Sequence, residues 1–340
     1  MTTKMVSEIF ESAQVLTNQW SKNQSLRKEI SSQWKSFSPY SFLTVARGSS
    51  DHAAQYFNYL CSLKLGKLTT SFTPSLITQY QASIDCSKSV AVAISQSGRS
   101  PDLIAPFESF NKSDCHTLAL VNVEDSPLAK SAKSVYPLHA QTEHSVAATK
   151  SFIASLFASA SLIAQTAEDK ILLSSLEHHA DTMEKTTSTG WDKIVNVLEK
   201  STRAMIVGRG LGFPIALEAA LKLKETCHIQ AEAFSSAEIL HGPQAVIEAN
   251  YPLIIFALRG PCQKGLLELG KQMRQRAADV IVISDQSSEH VDCVYKTAKH
   301  EDLDPINAIH HFYMAVEKLA KQRGLDPDNP RSLAKVTLTL

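Results

Sequence analysis

Short apolar runs alternate along the chain with longer amphipathic stretches. Residues 42–46, 89–94 and 117–121 are predominantly apolar, and each run stops at polar or glycine residues. Such runs are typical of strands buried on both faces, so their alternation with helical stretches predicts a parallel sheet covered by helices. Residues 4–35 carry apolar side chains at helical spacing and predict one or two helices before the first strand.

The strand pattern then repeats with a constant spacing. Three strand ends have counterparts 162 residues further along the chain: Arg47 and Arg209, residues 95–98 and 257–260, and Asn122 and Ser284. Three ends that keep one offset predict two copies of a single α/β unit.

The predicted fold class is therefore α/β, with two tandem units that each form a flavodoxin-like, doubly wound parallel sheet. We place the first domain at residues 1–185 and the second at residues 186–340, with the polar stretch 177–190 as a helical connector. In sheets of this type, ligands bind outside the carboxyl ends of the strands.

Composition excludes several broad classes of function. The chain has 340 residues, 44% of them hydrophobic and 20% charged, which is ordinary for a globular protein of two domains. Lys+Arg and Asp+Glu both total 34, so no excess charge favours nucleic acid or an anionic membrane. We expect a cytoplasmic protein, because the chain opens without an apolar signal core and has no apolar run of bilayer length.

Cysteine and histidine positions give no sign of a metal site. The six cysteines are scattered without a CxxC pair, which is typical of reduced thiols and fits neither a zinc site nor a disulfide framework. His178 and His179, like His310 and His311, are adjacent in predicted helices, so the side chains of each pair diverge. We interpret them as surface or core residues.

A hydroxyl-rich loop follows the second predicted strand. Residues 95–100 contain three serines, Gln96 and Gly98, and Pro101 opens the next helix. Such a loop can direct hydroxyl and backbone N–H groups at a phosphate, with the helix dipole adding a favourable field. The alternative is an N-cap cluster, which accounts for one serine but not for three. The second copy lacks these hydroxyls at 257–260, so we infer that the first copy binds phosphate and the second brings catalytic groups.

A second group of polar residues lies between 214 and 244. Residues 214–227 predict a helix on which Glu218, Lys222 and Glu225, spaced four and three apart, share one face. Glu238 and His241 follow shortly afterwards. A surface ion-pair stripe is the commoner meaning of such spacing. The position after a strand and a glycine turn, together with the second polar group, favours a catalytic site instead.

These motifs resemble the isomerase half of glutamine–fructose-6-phosphate amidotransferase, which is built from sugar isomerase (SIS) domains. The resemblance covers nearly the whole chain. It rests on motifs in the family's order: GSS at 48–50, SQSG at 95–98, residues 143–152, GRG at 208–210, LKLKE at 221–225, HGP at 241–243 and PRSLAK at 330–335.

The resemblance implies a role for each matching residue. The sugar phosphate is expected to contact Ser49, Ser50, Ser95, Gln96, Ser97, Ser100, Val146 and Ala334. The implied catalytic residues are Glu225 as proton-shuttling base, Lys222 as its helper, His241 for ring opening and Lys335 from the tail. Glu218, Thr149 and Lys150 are expected to support them. Apolar residues at 333, 336 and 338 predict that the tail docks.

Two departures from the family shape the expected activity. Arg99 follows SQSG where the family's amidotransferases usually carry an acidic residue, and the sequence has no N-terminal glutaminase domain. Amination of fructose 6-phosphate is therefore not expected.

The resemblance implies instead a metal-independent hydrolase of C–N bonds, without a cofactor, that converts glucosamine 6-phosphate into fructose 6-phosphate and ammonia. Fructosamine-6-phosphate deglycase, galactosamine-6-phosphate deaminase and a non-catalytic sugar-phosphate regulator remain alternatives. It also implies a homodimer in which His241 reaches the neighbouring subunit's site.

Overall fold

The computed structural model describes residues 2–183 and 190–335. It contains two parallel five-stranded sheets and divides into two compact units. The N-terminal unit comprises residues 12–143, 150–180 and 334–335. The C-terminal unit comprises residues 2–11, 144–149, 181–183 and 190–333, so both units are discontinuous in sequence. The predicted boundary at 185/186 and part of the predicted connector 177–190 lie outside the described residues.

The first sheet has the strand order β2-β1-β3-β4-β5, with every pairing parallel. Its strands are β1 (Ser41–Val45), β2 (Leu68–Ser71), β3 (Ser89–Ser95), β4 (Cys115–Val121) and β5 (Ser134–Pro137). The helices of this part of the chain are α1 (Lys4–Lys22), α2 (Gln24–Phe37), α3 (Ser49–Leu65), α4 (Ser75–Thr78), α5 (Pro101–Phe110), α6 (Pro127–Ser131), α7 (Lys150–Ala167) and α8 (Lys170–Glu177).

The second sheet has the order β10-β9-β8-β6-β7, again with parallel pairings. Its strands are β6 (Arg203–Gly208), β7 (Gln230–Ser235), β8 (Pro252–Phe256), β9 (Asp279–Ser284) and β10 (Cys293–Val294). The helices are α9 (Asp192–Leu198), α10 (Phe213–Cys227), α11 (Ser236–Leu240), α12 (Gln263–Gln275) and α13 (Asp304–Gln322).

The two sheets share one topology, which confirms the predicted fold class. When β6 to β10 are matched to β1 to β5 in chain order, both sheets have the same strand sequence. The ends of β1 and β6, of β3 and β8, and of β4 and β9 lie within one residue of the 162-residue offset. All seven residues of β3 are buried, as expected for a central strand covered on both faces.

The buried core explains where the helices form. Fifteen residues of α7 are buried, because this apolar helix packs along α2 and α3. α10 begins with Pro214 in its first turn and ends where His228 adopts a left-handed conformation with φ 53°. Among the described helices, none is long and apolar enough to cross a membrane.

The start of α1 is fixed by a residue from the far end of the chain. The backbone N–H groups of Lys4 and Met5 both donate to the Asp328 carboxylate, at 2.8 Å each. Helix N-termini leave such N–H groups without intrahelical acceptors, and a carboxylate there also interacts favourably with the helix dipole. In the same unit, the Glu8 carboxylate accepts the backbone N–H of Ser145 at 3.2 Å.

Candidate active site

The hydroxyl-rich loop of the N-terminal unit forms a tight turn between β3 and α5. The Ser95 hydroxyl accepts the backbone N–H of Gly98 at 3.0 Å, which closes the turn. Gly98 has φ 62°, and a Cβ at this position would lie 2.1 Å from Ser126 Oγ. The turn therefore needs glycine for both its conformation and its close contact.

The remaining loop hydroxyls stay near the solvent. Ser97 Oγ accepts the backbone N–H of Arg99 at 3.4 Å. Ser100 precedes α5 in an extended conformation, yet within the described structure its side chain makes no capping hydrogen bond. The N-cap interpretation thus does not account for Ser100. Gln96, Ser97 and Ser100 are all half-buried, so an anion could reach them at the amino end of α5.

The loop after β1 lies at the same edge of this sheet. β1 and β3 are paired in parallel, with Val45 opposite Ala93, so their carboxyl ends are adjacent. Gly48 has φ 54°, and Ser49 and Ser50 open α3. Arg47 Nη2 donates to the buried Asp102 carboxylate at 3.0 Å, which ties this loop to the first turn of α5. The predicted phosphate ligands therefore lie along the same carboxyl edge of the sheet, and we call this edge the hydroxyl-rich crevice; they are Ser49, Ser50, Ser95, Gln96, Ser97 and Ser100.

The C-terminal unit places three charged residues together on one face of α10. The Lys222 ammonium is completely buried, 3.5 Å from Glu218 Oε1 and in direct contact with Glu225 Oε2. The Glu218 side chain is also completely buried, whereas that of Glu225 is 22% exposed. A surface stripe would be solvated throughout. Here one carboxylate is sequestered and the other is accessible.

Tyr313 is a member of this cluster that the sequence reasoning missed. It lies on α13, and its hydroxyl donates to Glu218 Oε1 at 2.9 Å. Tyr313 is fully buried, so the hydrogen bond forms away from water. Nothing in the sequence marks it, because a tyrosine in a largely apolar helix is most simply a core residue.

His241 lies at the end of α11, apart from the α10 cluster. It is exposed, and no hydrogen bond or ion pair within the described ranges joins it to Lys222 or Glu225. It lines an open cleft of about 610 Å³ together with Arg209, Ser236, Leu240, Cys262 and Glu268, among others. The flanking apolar residues Leu240 and Val246 are 48% and 54% exposed.

Lys335 makes a specific contact within the N-terminal unit. Its ammonium lies 2.8 Å from Glu143 Oε2, and Glu143 also accepts the backbone N–H and hydroxyl of Ser151 at 3.0 and 2.7 Å. Burial alone would raise the pKa of Glu143, but the Lys335 charge and these hydrogen bonds hold it below the usual value. Leu333 is 46% exposed, and the other apolar tail residues, 336 and 338, lie outside the described residues.

Four further predicted residues are placed as follows. The Val146 backbone N–H donates to the Asp328 carbonyl at 3.1 Å in the C-terminal unit. Thr149 is fully buried in the same unit. In the N-terminal unit, the buried Lys150 donates to the Thr142 carbonyl at 2.9 Å, and Ala334 is exposed.

Three of the four paired histidines belong to the protein interior. His179, His310 and His311 are buried, and burial lowers the pKa of His179 to about 3. Within the part of the chain that the structure describes, no group of three or more histidine, cysteine, aspartate or glutamate side chains is arranged to hold a metal ion.

The Glu143–Lys335 pair predicts a pH-dependent stability. Because the pKa of Glu143 is lowered in the folded chain, the pair stabilises the fold above the usual glutamate pKa of 4.5 and loses this effect as the pH falls through the folded value. We expect Lys335→Met to destabilise the protein by about 1–3 kcal/mol at pH 7, since it removes a positive charge that lies beside a buried carboxylate.

Thermal melts at pH 7 and at successively lower pH test this prediction. The melting temperatures of wild type and variant should converge as the pH drops below 4.5. Lys299→Met, at an exposed lysine, is the matched control and should change little at either pH. A difference that is constant with pH would contradict the assignment.

The comparisons with known proteins give a consistent result. The family model described as "SIS domain" matches residues 39–165 and 197–319. Glutamine–fructose-6-phosphate aminotransferase [isomerizing] of Methanothermobacter thermautotrophicus is 33% identical over 299 residues, which cover 86% of this chain and 50% of that protein. The chain spans about half the length of such relatives.

Two solved structures extend the comparison. A candidate phosphosugar isomerase from Silicibacter pomeroyi DSS-3 has a TM-score of 0.91 and 32% identity, with 96% of this chain and 100% of that chain covered. Glucosamine-6-phosphate deaminase from Thermotoga maritima has a TM-score of 0.78 at 19% identity, with 99% and 100% covered, which shows a common fold. With both of its sheets matched by the family model, the chain belongs to the SIS domain family and carries two SIS segments.

Proposed function

We propose that this chain is an amino-sugar-phosphate deaminase that converts glucosamine 6-phosphate and water into fructose 6-phosphate and ammonia. The observation that carries the proposal is the α10 cluster, in which the buried Lys222 ammonium contacts Glu225 and lies 3.5 Å from Glu218. Glu225 is the accessible carboxylate of the two, as a base that must reach a substrate has to be.

The reaction needs three proton transfers that these residue types can perform. Ring opening moves a proton between O1 and O5, a transfer that we assign to the His241 imidazole. Glu225 then takes the C2 proton and delivers it to C1, and a proton passes from the amine nitrogen to O1. The Lys222 ammonium, which contacts Glu225, stabilises the negative charge that develops. The C2 imine that results is hydrolysed by water, and this step releases ammonia. We assign no metal or cofactor to any of these steps.

The hydroxyl-rich crevice of the N-terminal unit is proposed to hold the phosphate of the substrate. Its support is the set of half-buried side chains at the amino end of α5, where backbone N–H groups and the helix dipole favour an anion. Val146 and Ala334 are proposed to contact the sugar, with Lys335 as a further catalytic group. Thr149 and Lys150 then serve as buried supports.

A homodimer with shared sites is the proposed assembly. His241 is exposed, and within the described residues it forms no hydrogen bond or ion pair with the α10 cluster; the apolar side chains of Leu240 and Val246 flank it and are half-exposed. Exposed apolar residues around an otherwise unengaged histidine are typical of a segment that packs on another molecule. We infer that His241 completes the site of the partner subunit.

The direct test is ammonia release from three substrates. We expect glucosamine 6-phosphate to be turned over in preference to galactosamine 6-phosphate and a lysine-linked fructosamine 6-phosphate. Glu225→Gln keeps the shape of the side chain but removes the base, so turnover should fall by about two orders of magnitude or more while binding is retained.

Glu232→Gln is the matched control, because Glu232 is an exposed glutamate of the same unit. Preference for another substrate would reassign the activity. Tight binding of all three without turnover would instead identify a sugar-phosphate sensor. Normal turnover in the Glu225→Gln variant would move the base elsewhere.

Phosphate binding by the loop is tested at Ser97. Ser97→Ala removes one hydroxyl and should weaken sugar-phosphate binding about tenfold. Ser97→Asp adds a negative charge beside the phosphate and should weaken it about a hundredfold or more. Titration calorimetry with fructose 6-phosphate measures both. Ser36→Asp makes the same charge change on an exposed surface beside Lys88 and His116, and should leave affinity unchanged. Equal affinity in the Ser97→Asp variant would refute the loop's role.

The shared site is tested by mixing two inactive variants. Glu225→Gln and His241→Asn should each be nearly inactive alone. In a mixed dimer, both lesions fall in one site and the other site is intact. Random pairing makes half the dimers mixed, so about a quarter of wild-type activity should return. If verified subunit exchange restores no activity, both residues act within one chain.

A further inference from the structure

The second sheet has a ligand crevice of its own, at the point where its topology reverses. The chain leaves β6 for β7 on one side and then returns to β8 on the other, so β6 and β8 flank the reversal. Ligands of doubly wound sheets collect at such a point. The cleft of about 610 Å³ lies here, because Arg209 follows β6 and Pro261 and Cys262 follow β8. Its volume suits a small metabolite.

The equivalent arginines of the two copies differ in their ion pairing. Arg47 of the first copy is tied to Asp102, with distances of 3.0 and 3.2 Å. Arg209 is its counterpart at the offset of 162, but the counterpart of Asp102 is Lys264, which cannot accept a hydrogen bond. Within residues 2–183 and 190–335, Arg209 has no ion pair, and it is exposed at the cleft. Its guanidinium is available to a ligand.

A serine hydroxyl at the same cleft supports this conclusion. Ser236 opens α11 and lines the cleft with only 9% of its surface exposed. No described residue forms a hydrogen bond with its side chain. This hydroxyl is therefore available to donate to a ligand oxygen in the cleft. Arg259, by contrast, is unavailable, because it donates to Asp304 at 2.7 Å.

Helix α12 leaves room for an anion beside its first turn. Gly265 lies in that turn and lines the cleft, and a Cβ there would have no atom within 4 Å. Gly270 of the same helix must be glycine for packing, since a Cβ there would lie 2.9 Å from Val282. No such close packing inside the fold requires glycine at position 265. The one carboxylate lining the cleft, Glu268, is 4.0 Å from Lys271.

We propose that this cleft is a second anion site, which binds the phosphate group of a small phosphorylated metabolite. Arg209 is the charged ligand, and Ser236 donates its hydroxyl to a phosphate oxygen. The site is separate from the hydroxyl-rich crevice of the N-terminal unit, and its test does not require deaminase activity.

Cys262 provides a local probe. It lines the cleft and is partly exposed, whereas the other five cysteines are buried. The rate of its alkylation by iodoacetamide is measured by mass spectrometry in the full chain, with and without inorganic phosphate or glucose 6-phosphate, at ionic strength matched with sodium chloride. A ligand at ten times its dissociation constant should slow alkylation about tenfold by occupancy.

Variants test whether the protection of Cys262 comes from a ligand bound in the cleft. Arg209→Ala should raise the ligand concentration needed for protection about ten- to a hundredfold, the usual effect of losing a charge-assisted hydrogen bond. Glu268→Gln should lower the ligand concentration needed for protection, because it removes a negative charge that repels the phosphate. Arg276→Ala, at an exposed arginine beyond the other end of α12, is the matched control and should protect like wild type. Circular dichroism checks folding, and Arg209→Gln replaces the alanine variant if that one unfolds.

The Ser97→Asp variant separates this proposal from the proposed function. Protection of Cys262 should persist in it, whether or not the first crevice binds substrate. Protection that is lost in Ser97→Asp but kept in the Arg209 variants would place the ligand in the N-terminal unit and overturn the proposal. The proposal would also be overturned if neither inorganic phosphate nor glucose 6-phosphate, at tens of millimolar, slowed the alkylation of Cys262.

Discussion

Parallel pairing is the constraint on which both units depend. A parallel strand cannot be joined to its neighbour by a tight turn, so each connection crosses a face of the sheet and all carboxyl ends meet at one edge. Polar residues placed after separate strands therefore become neighbours without any direct sequence signal. The crevice at Ser50 and Ser95 and the cleft at Arg209 and Cys262 both arise in this way. One topology thus places a group of polar residues at the carboxyl edge of each sheet.

The charge balance on α10 follows from burial. A completely buried ammonium is costly unless carboxylates compensate it, and Lys222 has one on each side along the helix. Glu218 accepts a hydrogen bond from Tyr313 and is sealed from solvent, so it is a fixed counter-charge for the lysine. Glu225 keeps an accessible edge. The same three residues therefore combine a sequestered ion pair with a carboxylate that solvent can reach.

The sequence predicted what depends on local pattern and missed what depends on distant contacts. Continuous apolar runs predicted the central strands because residues buried on both faces leave little room for polar side chains. The offset of 162 predicted the repeat, and helical spacing placed Glu218, Lys222 and Glu225 on one face. The hydrogen bond from Tyr313 to Glu218, 95 residues apart, and the pairing of Lys335 with Glu143, 192 apart, could not be read from spacing. Neither could the cleft, which is formed by side chains from several elements.

The capping of α1 by Asp328 has a consequence for how the protein is made. The carboxylate that accepts the Met5 N–H lies 323 positions later in the chain, and the N–H that Glu8 accepts lies 137 positions after Glu8. On a ribosome that releases the chain from its amino end, the first turn of α1 therefore emerges without its cap. The N-terminal unit can begin to fold around its sheet in the meantime. The C-terminal unit is complete only after Asp328 has been synthesised, so a truncation before Asp328 exposes the first turn of α1 as well as the cut end.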